Sequence, residues 1–132
     1  MKFKKYNLAT FNTEDSDDIV FIEYSQELKV DLSMAKELVA NRLEFTENKK
    51  HYLILNVSNA KAVTHDAKLF MQDPENGLKN IMGAAFLASN PVSALIANIF
   101  IKSPKNFPAR FFSKKQEAID WIKDLKNKMT SN

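Results

Sequence analysis

The sequence predicts an α/β fold with a mixed five-stranded sheet, mainly parallel, and about four helices in the order ββαβαβαβα. Its 132 residues fit a single domain, residues 1–132. From about residue 30 onward, apolar runs of strand length alternate with segments of helical periodicity, which is typical of a parallel sheet with helical crossovers. Before them, two extended runs flank a polar cluster of turn formers. That arrangement predicts an antiparallel hairpin at the start of the chain.

The first half of the chain opens with this hairpin and continues into a helix. Residues 6–12 and 18–24 are the two strands, rich in β-branched and aromatic side chains, and the polar residues between them form the turn. Asp31 or Ser33 begins the helix, because both are good N-caps. Apolar residues then recur at helical spacing to about Phe45, which gives this helix one buried face.

The middle of the chain alternates between buried strands and short helices. Residues 51–57 and 82–88 are nearly continuous in apolar character, as expected for strands covered on both faces. Between them, Thr64 caps a helix that ends near Met71, with an aspartate in its first turn. Pro74 at a first helical position predicts a further short helix.

The third predicted helix is unusually apolar. Asn90 as the cap and Pro91 after it start the helix, which runs to about Lys102. It has almost no polar side, so it must be covered by its own domain or by something else. The residues that we assign to a candidate interaction surface or apolar-ligand surface lie on this helix and the loop after it: Val92, Leu95, Ile96, Ile99, Phe100 and Phe107.

A last strand and helix complete the order. Residues 109–112 form the strand, after a loop with two prolines. Ser113 and Gln116 have the spacing of a capping box. One apolar stripe then marks the C-terminal helix: Ala118, Trp121, Ile122, Leu125 and Met129.

The element order and the last third of the sequence resemble the STAS/SEC14-type (SpoIIAA-like) superfamily of small bacterial domains, and within it an uncharacterised bacterial branch. The shared pattern is an apolar strand, a helix, a Pro-x-x-Phe-Phe-Ser segment and a glutamate-alanine helix with tryptophan. It covers roughly residues 82–124, and the first half of the chain matches only in element order. The segments that carry it are 84–93, 99–102, 107–113 and 117–122.

The resemblance implies two kinds of function. STAS domains are phosphorylation-switched partners of anti-sigma factors and their kinases, with the switch serine at a helix start after the third strand. The matching position in this chain falls on His65 or Asp66, with Asn56 at the strand end, so Thr64 is the nearest hydroxyl and the candidate phosphoacceptor. A phosphate there would meet free backbone N–H groups at a helix N-terminus. SEC14-like relatives, which are longer, bind lipids in an apolar pocket.

Composition narrows the remaining classes of function. The chain lacks cysteine, which excludes a disulfide framework and thiolate chemistry. Its net charge is +3, and almost all of its basic residues are lysine. Lysine lacks the planar fork with which arginine recognises bases and phosphates, so we expect no specific nucleic-acid partner. Glycine-rich phosphate loops and nucleophile elbows are absent. His51 and His65 have no ligand-spaced partner and are expected at the surface or in a helix's first turn. We therefore expect no cofactor and no metal.

These observations lead to two main hypotheses and one lesser one. The first is a non-enzymatic regulatory or protein-interaction module that pairs with itself as a homodimer or with another protein. The alternative is a small carrier of a lipid or other apolar ligand, with a pocket between the third helix and the sheet lined by Phe86, Phe100 and Phe107. The lesser hypothesis is an enzyme that uses His65 and Asp66. Because neither a signal peptide nor a membrane span is evident, we expect a cytoplasmic protein.

Overall fold

The computed structural model describes residues 2–130 and has the predicted α/β fold, with six strands in the main sheet rather than five. Residues 1, 131 and 132 of the predicted domain lie outside the described residues. In chain order the elements are β1 (Phe3–Lys5), β2 (Ala9–Glu14), β3 (Ser16–Tyr24), β4 (Leu28–Val30), α1 (Leu32–Phe45), β5 (His51–Asn56), β6 (Ala60–Val63), α2 (His65–Met71), β7 (Ile81–Leu87), α3 (Pro91–Lys102), β8 (Ala109–Phe112) and α4 (Lys115–Thr130).

The main sheet has the strand order β1-β2-β3-β5-β7-β8. Strands β1, β2 and β3 pair antiparallel, which confirms the N-terminal hairpin and adds one strand to it. Strands β3, β5, β7 and β8 pair parallel, as the alternation of strands and helices predicts. The short strands β4 and β6 form a separate two-stranded parallel sheet. Consequently, β1 and β8 are the two edges of the main sheet.

The turn of the hairpin is shorter than predicted. Strand β2 continues to Glu14 and β3 begins at Ser16, so Asp15 alone lies between them. Asp15 has a φ of 73°, and aspartate is one of the few non-glycine residues that adopts this left-handed conformation readily. A single residue therefore reverses the chain where the composition suggested a loop of five.

Two local predictions are wrong. Residues 72–80 form turns rather than a helix after Pro74. The Asp73 carboxylate does accept from the Glu75 amide at 2.7 Å, as a helix cap would, but the Gly77 amide then donates back to the Phe70 carbonyl at 3.1 Å and ties the segment to the end of α2. Ser113 and Gln116 do not form the predicted capping box either, because α4 begins at Lys115 and the Ala118 amide donates to the Lys114 carbonyl, which places Lys114 rather than Ser113 at the cap position. The Gln116 side-chain amide donates to Asp120, one turn further along α4, at 2.9 Å.

The caps of the first three helices agree with the sequence. Asp31, rather than Ser33, caps α1 and accepts from the Met34 amide. Thr64 caps α2. Asn90 caps α3 by accepting from the Ser93 amide at 2.9 Å, and its side-chain amide donates to the Ser58 carbonyl. Asn90 thus connects the start of α3 to the loop that follows β5.

The main sheet separates two cores. Helices α1, α2 and α3 and the small sheet cover one face, and α4 covers the other. Successive residues of β5 point to opposite cores, so Leu53 packs under the three helices while Tyr52 and Ile54 pack under α4. This arrangement explains the continuous apolar runs of β5 and β7. Ala118 and Ile122 are buried in the α4 core, as the predicted stripe requires.

Candidate functional site

Helix α3 divides the six predicted surface residues into two groups. Val92, Leu95 and Ile99 form the outer group and are 48%, 64% and 39% exposed. Their spacing of three and four residues places them on one stripe, which we call the outer stripe. Ile96 and Phe100 are buried on the opposite side of α3, and Phe107 is half-buried in the loop that follows. The structure therefore shows two features where the sequence suggested one surface.

The outer stripe lies beside an edge of the main sheet. Strand β8 contacts α3 and, within residues 2–130, pairs with one strand only, β7. Ala109 belongs to the core under α3 and Phe112 to the core under α4. Because side chains alternate along a strand, Phe111 lies on the α3 face of this edge, where it is 36% exposed. Apolar side chains on α3 thus adjoin a strand with unpaired backbone groups.

The inner side of α3 closes a cavity of about 80 Å³ against the main sheet. Phe86 of β7 and Phe100 stack with ring centroids 6.5 Å apart, and both rings line this cavity together with Phe107 and Ile96. The three phenylalanines proposed for a carrier pocket therefore come together. Most of the other walls are aliphatic, from α1, β5, β6 and the residues that precede β7.

Arg42 is a cavity residue that the sequence analysis missed. It lies in α1, is only 4% exposed, and donates to the carbonyls of Lys79 at 2.8 Å and Gly77 at 3.1 Å. Burial lowers the pKa of its guanidinium to about 10. The spacing could have predicted this position. Arg42 follows Leu38 by four residues, which places it on the apolar face of α1.

His51 lies against Arg42 and corrects the surface position expected for it. The ring is buried at the start of β5, with Nδ1 2.9 Å from the Lys49 carbonyl and Nε2 3.0 Å from Arg42 Nη1. Since a carbonyl can only accept, Nδ1 carries the proton and Nε2 accepts from Arg42. Burial and the neighbouring Arg42 charge lower the His51 pKa to about 4. His51 is therefore neutral at pH 7.

Two further polar side chains line the cavity. Lys105 lies in the loop after α3, and its ammonium donates to the carbonyls of Ile101, at 2.7 Å, and Ser103. Tyr24, at the end of β3, is 4% exposed, and its hydroxyl makes no hydrogen bond with another described residue. Burial raises the Tyr24 pKa to about 12, so the phenol is protonated. It offers a hydrogen bond inside a space whose walls are mainly apolar.

A wider groove of about 700 Å³ adjoins the cavity. Four residues, Leu78, Ile81, Lys105 and Phe107, line both spaces. They form the partition between the cavity and the groove, and we call them the gate. The rest of the groove is open and mixed in character, with Lys50 and Glu75 but also Met82 and Pro104 among its walls. Movement of the gate side chains would join the two spaces.

The Thr64 region is a helix start with local hydrogen bonds. The Thr64 hydroxyl donates to the Asp66 carboxylate at 2.6 Å, and both oxygens accept from the Ala67 amide. Thr64, His65 and Asp66 are all exposed, and these hydrogen bonds lower the Asp66 pKa. Phosphorylation of Thr64 stays a prediction. No group of three or more metal-ligating side chains occurs within residues 2–130. In that same part of the chain, none of the helices has both the length and the apolar character to cross a bilayer.

Sequence comparison identifies a family for this chain. The model of a domain of unknown function, DUF7793, matches residues 13–126. The chain belongs to the DUF7793 family. The match includes every element from β3 to β8. Both the outer stripe and most of the cavity walls therefore lie in the part of the chain that defines the family. No curated protein sequence is significantly similar to the chain.

Structure comparison confirms the SpoIIAA-like fold for this DUF7793 member. An uncharacterized protein of the DUF3478 family with a SpoIIAA-like fold, from Shewanella loihica PV-4, superimposes with a TM-score of 0.60. The two sequences are 17% identical, and the match covers 89% of this chain and 98% of the other. At this identity the likeness concerns the fold alone. The resemblance inferred from the last third of the sequence is thereby confirmed for the architecture.

Proposed function

We propose that this DUF7793 protein is a non-enzymatic protein-interaction module of the STAS type that pairs with a second copy of itself through the outer stripe. The observation that carries the proposal is the exposure of Val92, Leu95 and Ile99 on one side of α3. Contiguous exposed apolar residues usually mark an interaction site. The inner side of α3 already provides the contacts that hold the helix on the sheet, so folding gives no reason for an apolar outer side.

The charge distribution favours a second copy over a charged partner. The chain is rich in lysine and carries a net charge of +3, yet α3 has no charged residue before Lys102 at its end. A partner recognised by charge, such as an acidic protein or an anionic membrane, would require cations along this stripe. A neutral stripe can face its own symmetry mate without repulsion between like charges. Val92 and Ile99 flank Leu95, so a two-fold axis near Leu95 lets each copy present the same contacts.

The size of the surface predicts a weak dimer. A stable interface buries about 800 Å² on each partner, and three side chains on one helix provide only part of that area. Phe111 and the free edge of β8 extend the surface, because strands at sheet edges pair readily with another chain. We therefore expect dissociation in the micromolar range, so that dimerisation depends on protein concentration.

The test is sedimentation of the wild type and two matched variants over a wide range of concentrations. We expect the wild type to dimerise and Leu95→Asp to remain monomeric with an unchanged melting temperature. Phe3→Asp is the control, since Phe3 is 67% exposed on the opposite sheet edge and should leave the dimer intact. A wild type that remains monomeric at millimolar concentration, or a Leu95→Asp variant that still dimerises, would overturn self-association through α3.

A second candidate function is the binding of a small apolar ligand, because the inner side of α3 closes a cavity. The cavity is lined by the predicted residues Ile96, Phe100 and Phe107 and adjoins a wider groove through the gate. Apolar cavities that exclude water bind small apolar molecules. The test is a titration with 1-hexanol followed by methyl NMR. The Ile96 methyl groups should shift, while those of Ile122, in the core under α4, should not. Unchanged Ile96 signals would eliminate this candidate.

A further inference from the structure

The walls of the cavity contain two cations and no acid. Of the side chains that line it, Arg42 and Lys105 are the charged ones, and both are positive. Within residues 2–130, neither forms an ion pair with a carboxylate. Buried charges in proteins are usually paired with an opposite charge, because removing a lone charge from water is costly. The cavity therefore has an uncompensated positive character.

The hydrogen bonds of Arg42 satisfy its donors without neutralising its charge. The guanidinium donates to the carbonyls of Asn76, Gly77 and Lys79 and to His51. All four acceptors are neutral groups, because His51 has lost its titratable proton at pH 7. These bonds hold the turns before β7 against α1. They leave the positive charge of Arg42 to act on the adjacent cavity through a low-dielectric wall.

Lys105 retains a donor for a ligand. Its ammonium group has three N–H donors, and two of them are directed at the carbonyls of Ile101 and Ser103 near the end of α3. The partial negative charge of a helix C-terminus attracts the ammonium group and fixes its position. One N–H therefore remains for an acceptor at the gate.

Both cations lie at the same end of the cavity. Arg42 contacts His51, the first residue of β5, and the turns that precede β7. Lys105 lies in the loop that precedes β8. Because β5, β7 and β8 are parallel, their amino ends meet at one side of the sheet. The gate lies at this side, since it includes Ile81, the first residue of β7, and Lys105 itself.

We propose that the cavity and gate form a site for a small amphipathic anion, with an apolar chain inside the cavity and a carboxylate at Lys105. The proposal rests on the second candidate function above. It assigns the head group by charge, because Lys105 at the gate and Arg42 in the cavity wall have no acid partner and favour an anion. It assigns the apolar part by the aliphatic and aromatic walls. The Tyr24 hydroxyl provides a further polar contact for a ligand inside the cavity.

The cavity volume limits the size of the apolar part. At about 80 Å³ it has roughly half the volume of the engineered cavity of about 150 Å³ that holds benzene. A single chain of about six carbon atoms would place only its inner part in this volume and the rest at the gate, whereas a two-chain lipid does not fit without large rearrangement. Hexanoate is therefore the probe, with 1-hexanol and hexylammonium as matched neutral and cationic ligands of equal chain length.

The experiment measures the affinities of the three probes by methyl NMR on the intact protein. We expect hexanoate to bind at least tenfold more tightly than 1-hexanol, and hexylammonium to bind least. Lys105→Met should reduce hexanoate affinity to the level of 1-hexanol, and Lys105→Arg should retain it. Lys102→Met is the control, because Lys102 is exposed at the end of α3 outside the cavity and groove walls.

The possible results distinguish failure of the anion proposal from failure of the apolar-ligand site on which it rests. Equal affinity for hexanoate and 1-hexanol overturns the anion proposal and leaves the apolar site in place. Failure of all three probes to shift the Ile96 methyl groups overturns both. A loss of hexanoate binding in both Lys105→Met and Lys105→Arg, with an unchanged response to 1-hexanol, would also contradict a role for charge at this position. Melting temperatures of the variants show whether each remains folded.

Discussion

Acid should destabilise this protein at a pH well above that expected from its carboxylates, because His51 is buried in a neutral state. Its Nε2 accepts a hydrogen bond from Arg42, and protonation would remove that acceptor and place two cations in contact. Asp18 is the one acid that favours the charged ring, and desolvation outweighs it. The perturbation is a decrease of pH from 7.5 to 5.5.

The sign and size follow from the two pKa values of His51. The folded-state pKa is about 4, against 6.5 for the unfolded chain, so the unfolded state binds the proton first as the pH falls. Stability is therefore complete above pH 6.5 and decreases as the pH falls toward 4. From these pKa values the free energy of unfolding decreases by about 1.3 kcal/mol between pH 7.5 and 5.5, and by about 3 kcal/mol near pH 4. Glu14, Asp18, Glu44 and Asp66, whose pKa values are lowered, contribute mainly below pH 5.

The assay is urea unfolding at several pH values between 7.5 and 5.5. His51→Gln keeps an acceptor near Arg42 and has no titratable ring, so its stability should be nearly independent of pH in this range. His65→Gln is the matched control, since His65 is exposed at the start of α2, and it should retain the wild-type dependence. The reasoning fails if the wild type is equally stable at pH 7.5 and 5.5, or if His51→Gln shows the wild-type slope.

Three further predictions concern stability and are measured by urea unfolding at pH 7.5. Ala84→Leu extends into the cavity and should change the free energy of unfolding by less than about 1 kcal/mol. Ala85→Leu enters the filled core under α4 and should destabilise by about 1–3 kcal/mol. Equal losses would mean that the cavity is filled. Arg42→Met leaves several part-buried carbonyls without donors and should destabilise by about 1–3 kcal/mol, and a neutral result would assign those carbonyls to water. Asn90→Ala removes the acceptor of the Ser93 amide and the donor to the Ser58 carbonyl, so it should destabilise by about 1 kcal/mol, and an unchanged free energy of unfolding would contradict this role.

Sequence patterns predicted the fold where an element is long and periodic. The strands β5 and β7 and the helices α1, α3 and α4 have enough apolar residues in register to identify both their type and their buried sides. Strand β1, with three exposed residues, and the β4–β6 pair have no such pattern. Their pairing depends on neighbours brought close by the fold, and a short window of sequence does not contain that information.

The candidate site was predicted only for its apolar part. Phe86, Phe100 and Phe107 lie near one another in sequence on consecutive elements, so their proximity followed from the element order. Arg42 and Lys105 are 63 positions apart on separate elements, and only the parallel sheet brings both to one end of the cavity. Charge compensation is a property of the folded environment, so the sequence could not show that both cations lack an acid partner.

Two neighbouring apolar residues of α3 should differ in how much they contribute to the stability of the fold. Ile96 faces the core, and Ile96→Ala should destabilise by about 2–4 kcal/mol, because a buried side chain is lost from the cavity wall. Leu95, one residue away, is 64% exposed, so Leu95→Gln should change stability by less than about 0.5 kcal/mol in the monomer. If Leu95→Gln destabilised as much as Ile96→Ala in the monomer, the outer stripe would be part of the core of the fold. If it does not, the fold of one chain does not require the three apolar side chains on the outer side, which supports the proposal that a second copy covers them.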